Sequence, residues 1–129
     1  MSQGKYLIII GSNTDRRRNM AEATRRLRHV FGHCICSRTM TTPAIGMPGS
    51  PPFANRCMAV VSSLSPAEVT SICKSIEADL GRKQDDKANG IVRIDIDLAA
   101  AGDHLLKPED CRREYARGFM PTYRDMHAE

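Results

Sequence analysis

What this chain has least of is aromatic surface. It carries no tryptophan, three phenylalanines and three tyrosines in 129 residues. Proteins that read single-stranded nucleic acid stack bases on aromatic side chains, so that class starts with little to work with. A net charge of +4 keeps a basic nucleic-acid-binding domain open only as a third reading. Long apolar runs are also missing. The longest, YLIII from Tyr6 to Ile10, has the length of a strand and not of a membrane span. The N-terminus shows neither the apolar core nor the cleavage pattern of a signal peptide. Five cysteines, an odd number at scattered spacings, give no disulfide framework. Together these absences predict a reduced, cytoplasmic, monomeric protein with no membrane contact. Its length is that of one domain, residues 1–129, enough for a real core.

What is present has a clear order. KYLIIIGSN reads as a buried strand that turns at Gly11. From Asp15 to Phe31 the residues Met20, Ala23, Leu27, Val30 and Phe31 recur at helical spacing, and Gly32 ends the run. Arg16, Arg17 and Arg18 read as a solvated helix end. A strand is expected from about His33 to Thr42. On it, Cys34 and Cys36 alternate onto one face and read as core cysteines, not as zinc ligands with His29 and His33. Pro43 to Pro52 form a long shaped loop, and FANRCMAVVSSL reads as the next strand. SPAE at Ser65 to Glu68 is a capping box with proline at the first helical position. Val69, Ile72, Cys73, Ile76 and Leu80 then mark a buried stripe that Gly81 closes. A charged, mobile loop, RKQDDKANG, follows.

The next stretch is GIVRIDIDLAA, starting at Gly90. Its period of two predicts a strand with Val92, Ile94, Ile96 and Leu98 facing a core. Arg93, Asp95 and Asp97 then share the other face, the two acids about 6–7 Å apart. Two carboxylates that close raise each other's pKa and need positive charge nearby. Arg93 with solvent supplies it on one reading; a divalent metal, which takes carboxylate oxygens, supplies it on the other. Spacing alone leaves both open.

Strand, helix, strand, strand, helix, strand is the order of an α+β, ferredoxin-like βαββαβ fold. It predicts a four-stranded antiparallel sheet with two helices on one face and the other face open to ligand. The residues from Asp103 onward have little apolar content and no clear pattern.

Several short segments also line up in sequence: GSN after the first strand, TTPAIG and PPFAN around the proline-rich loop, IEADLGR, RIDIDL and RGFM. This ordered set, from Tyr6 to Met120, resembles the 6-hydroxymethyl-7,8-dihydropterin pyrophosphokinases of folate biosynthesis. The resemblance implies an enzyme that transfers pyrophosphate from its co-substrate ATP to the hydroxymethyl group of a reduced pterin, releasing AMP. It implies two magnesium ions held by Asp95 and Asp97, with Arg82 completing the catalytic group. It assigns the pterin to Thr42, Pro43, Ala44, Ile45, Gly46, Phe53, Asn55 and Phe119, with Phe53 and Phe119 sandwiching the ring. It assigns ATP to Glu77, Arg82, Arg93, Tyr115 and Arg117. This chain also departs from the family. The family loop before the last core strand carries arginines and a tryptophan; here it is KQDDKANG. A histidine-tyrosine pair is Glu114-Tyr115 here, Arg93 precedes Asp95 by two residues instead of three, and the family's C-terminal tail is not expected. The departures leave a non-catalytic relative that binds a pterin or nucleotide as the alternative.

Overall fold

The run YLIII is apolar at every position because the strand that carries it is buried on both faces. In the computed structural model, which describes residues 3–43, 49 and 51–127, this strand is β1, Gly4–Ser12. Tyr6, Ile8 and Ile10 enter one core cluster, while Leu7 and Ile9 enter a second on the opposite side of the sheet.

The other elements are helix α1 (Arg16–Phe31), short strands β2 (Cys34–Cys36) and β3 (Met40–Thr42), β4 (Phe53–Ser62), helix α2 (Pro66–Asp79), a 3-10 turn (Lys87–Asn89), β5 (Asp95–Ala101), β6 (His104–Leu105), and helices α3 (Pro108–Arg112), α4 (Glu114–Arg117) and α5 (Met120–Asp125). The fold is α+β. Every strand pairing is antiparallel, in the order β2-β4-β1-β5-β6, with β3 also on β4.

The four-stranded expectation is corrected in two ways. Among the described residues the sheet has six strands. The strand expected from His33 to Thr42 is two strands because Cys36 faces Met58 while Met40 faces Asn55. Four steps on one side thus match three on the other, which is one extra residue and a bulge. Ser37 fixes it: its amide donates to the Cys57 carbonyl and its hydroxyl accepts from the Cys57 amide, both at 2.9 Å.

The expectation of one open face is also corrected. Helices α1 and α2 cover the first face through Met20, Ala23, Leu27, Phe31, Val69, Cys73 and Ile76. Val30, read as part of that stripe, is 46% exposed, since it falls off the line that Leu27 and Phe31 share. On the second face, Cys111, Ala116, Phe119, Met120, Tyr123 and Met126 pack on Leu7, Ile9, Cys57, Ala59 and Val61. The poorly patterned C-terminal segment is therefore a layer of short helices. It covers only the half of that face near the start of β1, and the half near Gly11 is left as a cleft.

Helix α2 begins and ends as its sequence predicts. Ser65 Oγ accepts from the Glu68 amide at 3.2 Å and Glu68 Oε1 accepts from the Ser65 amide at 2.9 Å. At the other end Gly81 adopts φ +94°, which L residues reach only with strain. The Gly81 amide donates to Ala78 and the Arg82 amide to Glu77, both at 3.1 Å, a Schellman closure. That closure turns the chain back so that Arg82 returns beside Glu77. Among the described residues, no helix is long and apolar enough to cross a membrane.

Candidate functional site

The cleft holds about 310 Å³. Its sheet wall comes from Ile9, Gly11, Phe53, Asn55, Asp95 and Asp97. Thr42 and Pro43 close one side, Arg82, Lys87 and Val92 a second, and Asp110, Arg113 and Tyr115 of the C-terminal layer a third.

The acids sit where the sheet has a free edge. Asp95 to Leu98 pair with β1, but β6 pairs β5 only at Ala100 and Ala101. The outward amide of Ile96 therefore needs a partner, and Glu77 Oε2 accepts from it at 2.6 Å. Glu77 is 4% exposed. Its carboxylate reaches around the edge to the acid pair, so Glu77, Asp95 and Asp97 each present an oxygen within 4.8 Å of the others. Among the described residues this is the single set of three such groups able to hold a metal ion. Three carboxylates converging like this fit a hard dication, which takes oxygen ligands.

Two basic side chains balance the set. Arg82 Nη1 lies 3.0 Å from Glu77 Oε1 and 2.9 Å from Asp95 Oδ1. Lys74 Nζ lies 3.0 Å from Glu77 Oε2 and 3.3 Å from Asp97 Oδ1. The two aspartates separate as a result. Burial works against the Asp95 anion, but hydrogen bonds from Asp97 and Arg82, with the charge of Lys74, bring its pKa below the usual aspartate value. Burial and the neighbouring Asp95 charge push Asp97 up to about 6, since Lys74 offsets only part of them. Close carboxylates share a charge deficit in this way. Burial also raises the Tyr115 phenol, which stays protonated.

Of the residues that the resemblance assigns to the pterin, Thr42, Pro43, Phe53 and Asn55 line the cleft. Asn55 Nδ2 donates to Thr42 Oγ1 at 2.6 Å. Gly11 lets the amide approach, because a β-carbon there would lie 3.1 Å from Asn55 Oδ1. Ala44, Ile45 and Gly46 lie outside the described residues. Phe119 is placed elsewhere: it is 8% exposed in the second core cluster and does not line the cleft. Tyr115 does line it.

Of the residues that the resemblance assigns to the nucleotide, Arg82 and Tyr115 line the cleft, while Glu77, Arg93 and Arg117 do not; Glu77 touches the lining through Arg82. The strand begins at Asp95, so Arg93 is off the acids' line; its Nε donates to Asp86 Oδ2 at 3.1 Å. Val92 leaves the core side and joins the cleft wall for the same reason.

Sequence reading missed several residues that build the site. Asn13 of GSN staples the approach to β5: its Nδ2 donates to the Gly90 carbonyl at 3.0 Å and its Oδ1 accepts from the Val92 amide at 2.7 Å. Ser12 Oγ donates to the Arg93 carbonyl at 2.6 Å. Asp86 orders the charged loop read as mobile. It accepts from the Lys83 amide at 2.8 Å as well as from Arg93, and the Lys83 amide foremost holds its carboxyl below the usual value. The signal for Asp86 was faint, one of two adjacent acids among nine polar or small residues.

The family comparison and the curated relatives agree with each other. Residues 7–122 match the model of the family described as 7,8-dihydro-6-hydroxymethylpterin-pyrophosphokinase. The chain is similar to the mitochondrial folate synthesis bifunctional protein of Arabidopsis thaliana, 29% identical over 127 residues, covering 92% of this chain and 22% of that protein. A second folate synthesis bifunctional protein of the same plant is 27% identical over 104 residues, covering 79% of this chain and again 22% of the relative. The chain thus spans about a fifth of the length of these curated relatives. Among solved structures, the C-terminal domain of the MgtC protein from Mycobacterium tuberculosis aligns at a TM-score of 0.44 and 13% identity, covering 82% of this chain and 94% of that one, too remote to bear on the site.

Proposed function

The chain belongs to the 7,8-dihydro-6-hydroxymethylpterin-pyrophosphokinase family, and on that premise we propose that it transfers pyrophosphate from ATP to the hydroxymethyl group of 6-hydroxymethyl-7,8-dihydropterin in folate biosynthesis. The observation that carries this reading is the convergence of Glu77, Asp95 and Asp97 at the wall of a cleft that also holds Asn55, Thr42 and Phe53. In the reaction the hydroxymethyl oxygen forms a bond to the β-phosphorus, the bond from that phosphorus to the α-phosphate oxygen breaks, AMP leaves, and the hydroxyl proton passes to solvent.

Asp95 and Asp97 would hold magnesium ions, two by family analogy, and Glu77 would fix Asp95 and Asp97 through its grip on β5 and Arg82. Bound there, magnesium would neutralise triphosphate charge and make a coordinated hydroxyl easier to deprotonate. Arg82, Lys87 and Arg113 would pair with phosphate oxygens; a guanidinium fork suits that task. Lys87 and Arg113 then stand in for the arginines the family carries on its loop. The flat pterin would lie against Phe53 and Tyr115, with the Asn55 amide and Thr42 reading its polar edge. Ala44, Ile45 and Gly46 remain proposed for the same wall. Arg93 acts on the nucleotide side only through Asp86 and the loop it orders.

The test is incubation with ATP, magnesium and the hydroxymethyl dihydropterin. AMP should form, and should not form in Asp95→Ala or Asp97→Ala. Pterin binding without AMP in the parent chain would establish a non-catalytic relative instead.

A further inference from the structure

Lys74 sits inside the acidic set, not beside it. It leaves α2 one turn before Glu77. Its ammonium donates to Glu77 Oε2 at 3.0 Å, to the Ile96 carbonyl at 3.1 Å and to Asp97 Oδ1 at 3.3 Å. Those three bonds use every donor an ammonium has. Two of the three acceptors belong to the carboxylates that converge within 4.8 Å. Arg82 holds Glu77 Oε1 and Asp95 Oδ1, which leaves Asp97 to Lys74. The Lys74 side chain is also 48% exposed, so it has room to leave.

We propose that Lys74 is an internal competitor for the dication: its ammonium occupies the Glu77–Asp97 side of the acidic set in the free protein and moves to the triphosphate when metal and nucleotide arrive together. This rests on the reading of Asp95 and Asp97 as metal ligands. The physical argument is competition for the same oxygens and the same negative charge. A dication arriving alone must displace the ammonium, which then has no new anionic partner. With a triphosphate present the displaced ammonium gains one. Metal and nucleotide therefore strengthen each other's binding, reciprocally.

Manganese titration followed by electron paramagnetic resonance tests this without any turnover. The parent, Lys74→Gln, Lys74→Met and the charge-keeping Lys74→Arg are compared in the absence of nucleotide, with circular dichroism to show that each is folded. Removing a unit charge a few ångströms from the site should tighten manganese binding about tenfold in the Gln and Met variants. Lys74→Arg should stay near the parent. In the Gln and Met variants an unhydrolysable ATP analogue should also enhance manganese affinity less than in the parent. Affinity that is unchanged or weaker in both variants, while Asp97→Asn still abolishes binding, overturns the role of Lys74 and leaves the site reading intact. If the parent binds no manganese alone, the Gln and Met variants must bind it; silence in all three overturns the inference. Manganese binding that survives Asp95→Asn and Asp97→Asn overturns the site reading and the inference with it.

Discussion

Asp97 carries the sharpest consequence at the scale of single residues. Its folded pKa of about 6 lies above the ordinary aspartate value of about 3.9. Between those two values the folded chain binds more protons than the unfolded chain, so stability falls as pH rises across that interval. The metal-free protein should therefore lose stability from pH 4 toward pH 6 through this group, and Asp97→Asn should remove that part of the slope. At pH 8 the metal-free Asp97→Asn variant should be at least as stable as the parent, while manganese binding is lost. Denaturant titrations at several pH values check the first outcome and calorimetry the second. A residue kept for packing would show the reverse, a less stable variant with metal binding intact. Asp97 and Asp95 were legible in the sequence because period-two alternation shows which residues share a face. Lys74 beside Glu77 follows from i,i+3 spacing on a helix, but its reach to Asp97 does not, because that depends on where β5 packs.

At the scale of elements, the site depends on how α2 is clasped to the edge of β5. Glu77 makes that clasp through the Ile96 amide, Lys74 and Arg82. Glu77→Gln weakens charge-assisted bonds whose cationic partners can return to water, so it should cost about 1–3 kcal/mol in a urea titration. Ser65→Ala removes the capping bond at the far end of the same helix and should cost about 1 kcal/mol, with manganese affinity unchanged. The contrast separates the stability of α2 from its role at the site. Both ends of α2 could be read in advance, since SPAE and Gly81 act locally. The break between β2 and β3 could not, because the bulge at Ser37 is set by register against β4, which is a tertiary property. Arg93 was misplaced for a related reason: alternation gave the phase of β5 correctly from Ile94 on, but the strand starts two residues later than Arg93, after Ser12 and Asn13 have pinned the approach.

Considered as a whole molecule, the chain is a sheet with two covered faces and one gap. The second layer, α3 to α5, is what turns a sheet face into a cleft. Tyr123 anchors it: the side chain is 1% exposed and its hydroxyl donates to the Gly102 carbonyl at 2.7 Å, with the Lys5 carbonyl 3.2 Å away. Tyr123→Ala should cost about 3–5 kcal/mol, the range for large aromatic truncations in a core, and should show as a lowered thermal midpoint with increased binding of a hydrophobic dye. This layer was illegible because its helices have four to six residues, too short to show a period. The consequence reached the site, since the same packing buries Phe119 and brings Tyr115 to the cleft. The central claim concerns the acids that this architecture leaves facing the gap. Crystals grown with manganese and an unhydrolysable ATP analogue test it most directly. Anomalous peaks within coordination distance of Asp95 and Asp97, bridged to the triphosphate, are the predicted result. A nucleotide bound with no peak at those carboxylates, or manganese found only elsewhere, would contradict it.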